Sequence, residues 1–376
     1  MRVFKGLNNT TDPMRLGLEW LVQADNVDVS DEGALSARPG YTSALSAAVT
    51  AAYTTIDFER FFYVAGGSLK TFEGATLAYV MSNAPMYWAE VNQHVYYNNG
   101  TDRGIITPGN NVVEWEWVVP SAPAVAAVTG SLPAGTYQVR ITYSLPGGRE
   151  TGSSEAASIT LTDGQALQIS RIPTNGNVYI APANSTVYQL ALRNAPAAFV
   201  WDSSPDSLGK DLMHQFLDPI PEGATIIQIW KGRAYAAMYM PATDQTVVWY
   251  SQPLGYHLFN LNSNFFIVPN KVLCMAPHEA GLIIGTDAKI YSYEGSRINE
   301  LAPYGVVPGW PWALDDKNIL LWTQRGLCQA LPLKNLIIDR VSVAPGTQAG
   351  AVVMSDDGQK KFVVALHQGG LAFNQR

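Results

Sequence analysis

Two stretches decide the fold: Phe61-Phe62-Tyr63-Val64-Ala65-Gly66-Gly67-Ser68-Leu69-Lys70-Thr71-Phe72-Glu73-Gly74 and Leu282-Ile283-Ile284-Gly285-Thr286-Asp287-Ala288-Lys289-Ile290-Tyr291-Ser292-Tyr293-Glu294-Gly295. They align without a gap. Each runs bulky apolar residues into a Gly or Asp turn, then alternates to an aromatic-Glu-Gly close. Only the final Glu-Gly is identical, so what the stretches share is a pattern. An unbroken apolar run, a tight turn and a strand with period-two alternation describe a β-hairpin whose first strand is buried on both faces.

Weaker copies occur along the chain. Val95-Tyr96-Tyr97 runs through Asn98-Asn99-Gly100 to Gly104-Ile105-Ile106. Ala234 to Tyr239 leads through Asp244 to Val247-Val248-Trp249-Tyr250. Ile319 to Trp322 turns at Arg325-Gly326 into Leu327-Cys328, and Val352-Val353-Met354 turns at Asp356-Asp357-Gly358 into Phe362 to Leu366. Apart from a gap after Gly104, the hairpins recur every ~30 to 50 residues, the spacing of four-stranded propeller blades. Such blades bury a core only against one another. The sequence therefore predicts an all-β protein, a β-propeller of roughly six blades, or seven if Gly33-Ala34-Leu35-Ser36-Ala37-Arg38 helps close the ring. Stacked antiparallel sheets without ring closure are the alternative.

The gap has its own character. Tyr137, Val139, Ile141 and Tyr143 alternate with Gln138, Arg140 and Thr142, and a Pro146-Gly147-Gly148 turn follows. Further strands are expected around Ile159-Thr160-Leu161, at Asn177 to Ile180 and at Thr186 to Leu190. Several half-polar strands in so short a span predict a small β-sandwich over 120–203, and its pattern resembles fibronectin type III domains. The propeller then divides into 1–119 and 204–376, with the module projecting outward from a blade loop.

Hydrophobic residues make up 47% of the 376 and charged residues 15%, a core-rich composition. The 32 Gly and 23 Pro suit many short strands and turns. Net charge is −7 and no basic run is present, which argues against a protein that grips nucleic acid. It leaves room for one that DNA slides past. Cys274 and Cys328 are the only cysteines, too few for a disulfide framework. The N-terminus has no secretory signal pattern and no apolar run spans a bilayer, so synthesis in a cytoplasm is expected. The Asn-x-Ser/Thr triplets at Asn8, Asn9, Asn99 and Asn184 then read as turn chemistry.

Phosphate-loop, nucleophile-elbow and His-Glu-x-x-His motifs are missing. His94, His214, His257, His278 and His367 are far apart in sequence, none at metal-ligand spacing. The adjacent pairs Asp315-Asp316 and Asp356-Asp357 should point to opposite faces or sit solvated in turns, not flank a sugar. Asp25 to Gly33 spaces its acids by threes, unlike an EF-hand loop, and reads as a strand ending in a Ser-Asp-Glu-Gly turn. Trp115, Trp117, Trp249 and Trp322 read as packing residues within strands. The expectation is no catalytic residue, no metal, no cofactor and no enzyme activity.

Two stretches resemble known proteins. Phe4-Lys5-Gly6-Leu7-Asn8-Asn9 with Asp12-Pro13, then Leu18 to Val29 and Arg38-Pro39-Gly40-Tyr41, resembles the start of many phage virion proteins. Trp249-Tyr250-Ser251-Gln252-Pro253 through Phe259-Asn260 and Phe265-Phe266-Ile267 to Ala280–Thr286 and Tyr293-Glu294-Gly295 is similar to blades of the propeller proteins that form the nozzle or hub of short phage tails. Together these cover about a quarter of the chain. The resemblance implies a homo-oligomeric ring, a hexamer, below the portal and adaptor rings of a virion. Such a ring retains double-stranded DNA and later conducts it during ejection, without specific binding.

The segment Arg2 to Val22 carries Phe4, Leu7, Leu16, Leu18 and Trp20 ahead of the first clear blade. That much apolar surface on a chain end predicts docking, either onto a neighbour or ring above, or onto its own propeller. Two rival functions stay open: a receptor- or glycan-binding virion protein using the sandwich, and a propeller enzyme acting on glycans.

Overall fold

The quoted hairpins pair as their patterns predict, Phe61–Ala65 with Ser68–Thr71 and Leu282–Thr286 with Ile290–Tyr293. The computed structural model describes residues 3–30, 32–38, 42, 44–356, 359–366 and 369–374. In it, each hairpin forms the second and third strands of a four-stranded antiparallel sheet. The first blade is Val49–Thr54, Phe61–Ala65, Ser68–Thr71 and Thr76–Tyr79; the second is Tyr87–Val91, His94–Asn98, Arg103–Ile106 and Val112–Val113.

Blade three runs Ile226–Trp230, Arg233–Met240 and Gln245–Gln252, whose outer edge pairs with both Gly255–Phe259 and Phe265–Pro269. Blade four is Val272–Pro277, Leu282–Thr286, Ile290–Tyr293 and Ile298–Ala302. Blade five is Trp312–Asp315, Asn318–Thr323, Gly326–Gln329 and Lys334–Asn335. Blade six has three strands of its own, Ala349–Asp356, Gln359–Leu366 and Gly369–Asn374, and Gly309–Trp310 pairs in parallel with its free edge. The turn expected at Asp356-Asp357-Gly358 lies outside the described residues.

Consecutive blades share apolar clusters. Phe62 and Val64 meet Trp88 and Val95; Ala89 and Tyr96 meet Ile227 and Ala236; Trp230 and Tyr235 meet Ile284 and Tyr293. Ile283 and Ile290 meet Leu321, and Leu320 and Trp322 meet Phe362 and Val364. Each fully buried Leu, Ile, Val or Phe contributes roughly 1.5–3 kcal/mol, so these joints hold the ring. The strand Leu35–Ala37 does not add a blade. Among the described residues it pairs only with Val27–Val29, a separate hairpin that touches blade six through an ion pair from Asp28 to Lys361 at 2.9 Å. The described residues form six blades.

Strand order gives the disc two unlike faces. One carries the connections from the outer strand of each blade to the inner strand of the next; the other carries the first and third turns of each blade. The sandwich fills the connection between blades two and three, on the connecting face. Its sheets run Ala124–Leu132, Gln165–Ser170, Ala198–Trp201, and Ala157–Leu161, Gly135–Tyr143, Gly176–Ala181, Gln189–Leu192. Tyr137, Val139 and Ile141 face Leu167 and Ile169 across its core, as the alternation predicts. Thr186 to Tyr188, expected in a strand, precede one instead. Trp115 and Trp117 also lie outside strands, on the segment leaving blade two, where the Trp115 indole donates to the Tyr256 carbonyl at 2.9 Å.

Candidate functional site

The N-terminal arm folds back on itself. Gly6–Leu7 pairs in parallel with Trp20–Leu21, and Pro13–Arg15 forms a short 3-10 turn capped by Asp12, whose carboxylate accepts from Met14 N at 2.9 Å. Proline at the first position and an aspartate cap fix that turn from sequence alone. The arm rests on the connection between blades five and six. Asn9 N donates to the Arg340 carbonyl at 2.9 Å, its side-chain amide exchanges bonds with Ser342, and the Thr10 hydroxyl donates to the Asp339 carbonyl. Arg340 lies over the Trp20 ring.

Of the residues expected to dock, Phe4, Leu7, Leu16 and Trp20 are half-buried, Trp20 beneath Arg340 of the chain's own propeller. Leu18 is 75% exposed, and Met14, which the sequence reading passed over, is 92% exposed. Arg2 lies outside the described residues. On the opposite face, the first turn of blade one exposes Ile56 and Phe58, and the third turn exposes Phe72. No pattern in the sequence marked Ile56 and Phe58, since Thr55 to Arg60 continues the strand alternation, and Phe72 was read only as the aromatic closing the first hairpin.

At the disc axis, Gly309–Trp310 runs beside the inner strands. Trp310 stacks on Trp312 of blade five and meets Tyr53 of blade one edge-on, while Gly309–Trp310 pairs with Ala349–Gly350 of blade six. Gly309–Trp310 also lies against the inner strand of blade four, Val272–Pro277, so it touches the inner strands of four successive blades, which converge only near the axis. Gly309 is required there: its φ is +110°, and a Cβ would sit 2.3 Å from the Ala349 carbonyl oxygen. Beside Trp310 a cleft of about 250 Å³ opens between Thr50 and Ala52 of blade one and Gly350 and Ala365 of blade six.

A third feature joins the sandwich to blade three. The polar face of the strand Gly135–Tyr143 is covered: Arg140 donates to the Ser154 carbonyl and lies over the Phe216 ring, and Thr142 is enclosed by Glu150 and Asn177. Glu150, 2% exposed, accepts from Thr142 Oγ1 at 2.8 Å, Tyr179 OH at 2.6 Å and Lys210 Nζ at 2.9 Å. Burial alone raises a carboxylate's pKa, but these bonds and the Lys210 charge outweigh it and hold Glu150 down at about 2.

His214 and His257, separated in sequence, come together here. Ser153 N donates to the His214 carbonyl, and His257 Nε2 lies 3.0 Å from the Glu150 carbonyl. Burial lowers both imidazole pKa values, that of His257 to about 4. Gly152 packs so tightly that a Cβ would stand 1.6 Å from the Leu217 carbonyl oxygen.

The remaining candidates disperse. His94 and His278 make local backbone contacts, and His367 lies outside the described residues. Asp315 and Asp316, expected to diverge, both bind Lys360 Nζ, because the turn after Asp315 swings them to one side. Cys274 and Cys328 are buried free thiols. Among the described residues no three His, Cys, Asp or Glu side chains gather as a metal site, and no helix is long and apolar enough to cross a membrane.

No protein-family model matches the chain, and no curated protein matches it in sequence. Solved structures similar to it include U3-55K at 10% identity, covering 86% of this chain and 90% of that one with a TM-score of 0.36. Others are hydrazine synthase of Kuenenia stuttgartiensis, at 8% identity, 89% and 99% coverage and a TM-score of 0.40, and YCF48 of Cyanidioschyzon merolae, at 8%, 87% and 94%, and 0.33. The class of protein is set by the sheets themselves: a six-bladed β-propeller with an inserted β-sandwich.

Proposed function

We propose that this chain is a structural protein of a phage virion and not an enzyme: a nozzle or hub subunit of a short tail, made in the bacterial cytoplasm. It assembles as a homo-oligomeric ring of six below the portal and adaptor. The ring retains double-stranded DNA and conducts it during ejection.

The observation that carries this reading is the arm. It is anchored by polar contacts to blades five and six, yet leaves Met14 and Leu18 in water, a poor end state for apolar side chains unless another chain covers them. The resemblance of Phe4 to Val29 and of Trp249 to Gly295 to tail proteins points the same way. Trp310 lies at the hub of each disc, with ring contacts to blades one and five, and the passage for a duplex is assigned to the space between copies. Net negative charge keeps phosphates from sticking to its wall.

Electron microscopy of the purified full chain, alone and with portal complexes, tests this. The expected result is a six-fold ring with a central hole that admits a duplex. A monomer that binds saccharides through 120–203, or turns over a glycan, overturns it.

A further inference from the structure

The turn that exposes Phe58 is built, not loose. The Thr55 side chain, 1% exposed, donates from Oγ1 to the Asp57 carboxylate at 2.6 Å and accepts from Arg60 N at 3.0 Å. Glu59 N also donates to Asp57, and Phe58 N to the Thr55 carbonyl. This frame holds Phe58 at φ +60°, a left-handed conformation unfavourable for a bulky side chain, and leaves it 72% exposed. On the adjacent turn Phe72, 52% exposed, meets the Phe61 ring at 5.9 Å. Nothing in the described chain rewards presenting these rings to water. Strain kept at an exposed site points to a use there.

The rim of this patch is acidic, with Asp57, Glu59 and Glu73 all exposed. The arm's tip is its counterpart. Met14 and Leu18 flank exposed Arg15 on a turn already fixed by Pro13 and Asp12. Both surfaces are preformed, so docking costs little ordering entropy. They lie on opposite faces of one disc, the arm on the connecting face and Phe58 and Phe72 on the turn face. A chain therefore cannot satisfy its own patch, whereas a second copy can, and repeated head-to-tail contact of unlike surfaces closes into a ring when each contact also turns the next disc, and otherwise runs on as a filament.

We infer that the turn face of blade one, centred on Phe58 and Phe72, receives the N-terminal arm of a second copy of this chain, with Met14 and Leu18 against the rings and Arg15 among the acids. Discs then stand face to back around the ring. This rests on the ring reading above and names its subunit contact.

The test uses the full chain. Assembly is followed by light scattering across a concentration series for the unmodified protein and for Phe58→Asn with Phe72→Ser. Asparagine tolerates the left-handed turn, and an unchanged melting temperature confirms folding. The double variant should need at least about tenfold more protein to assemble. Glu73→Arg should weaken assembly, and adding Arg15→Glu should restore it. Leu18→Cys with Phe58→Cys should cross-link between copies on mild oxidation, since both native thiols are buried. If the unmodified chain assembles and these variants match it without cross-linking, the docking surface is wrong and the ring stands. If the unmodified chain stays monomeric at every concentration, the ring reading and this contact fall together.

Discussion

The five joints between consecutive blades and the joint returning from blade six to blade one are built differently. Each of the five shares a cluster of buried apolar side chains from both blades. Among the described residues no such cluster spans the sixth joint, which has a cleft, the ring of Trp310, and the hairpin ion pair from Asp28 to Lys361. The difference teaches where closure is won. Four of the five join blades that follow directly in sequence, at small loop-closure cost, and the joint between blades two and three spans the sandwich; the last joint brings together residues about 300 apart and does so without a shared apolar cluster among the described residues. The ring should open there first.

Truncating a sealed joint should have the largest effect. Trp322→Ala, in the cluster between blades five and six, is expected to lower unfolding free energy by about 3–5 kcal/mol in denaturant titrations. A smaller loss would mean that this joint is no stronger than the cleft. Asp28→Asn, at the edge of the sixth joint, should cost about 2–3 kcal/mol, because the buried Lys361 ammonium loses its carboxylate while Arg38, more exposed, loses less. Trp310→Ala, in the same joint, should cost about 2 kcal/mol, since the ring is only half-buried, and should raise amide exchange in Val49–Thr54 and Ala349–Asp356 before other inner strands. Uniform exchange around the disc would erase the contrast.

The sandwich junction is a third kind of joint, polar and buried, and pH probes it. His257 stays neutral in the fold down to about pH 4, while the unfolded chain takes up the proton near the ordinary 6.5. Between those values the unfolded state binds more protons, so stability falls on acidification, by about 3 kcal/mol at the limit. Glu150 adds to this only lower, between its ordinary 4.5 and about 2, where protonation removes its contribution. Thermal melts from pH 7 to 4 should drop, and His257→Gln should flatten the drop. Glu150→Gln should leave that window intact but destabilise the protein at neutral pH by about 1–2 kcal/mol, because a neutral amide accepts less strongly from the buried Thr142 and Tyr179 hydroxyls, while Lys210, half exposed, is rehydrated.

Much of the fold was legible because blades obey local rules. Apolar runs and Gly or Asp turns located the central hairpin of blades one to five, and alternation from Tyr137 to Tyr143 located the sandwich. The inner and outer strands were harder to see, being short, as at Val112–Val113, or split, as at the outer edge of blade three. Tertiary packing hid the rest. The alternation did not show that Arg140 and Thr142 would be buried beneath residues 150–154 and Phe216, and His214 and His257 carried no spacing signal. The arm was visible as an apolar chain end, but Met14 was not singled out. Phe58 was hidden because its exposure comes from a left-handed turn that an aromatic residue does not advertise.

Gly152 has a mechanical consequence. Backbone in such contact with Leu217, together with the His257 ring of blade three against the Glu150 carbonyl, braces the insertion against the disc. A push on the tip of the sandwich is therefore delivered as torque to blade three, and the module acts as a stiff lever arm instead of a swinging tether.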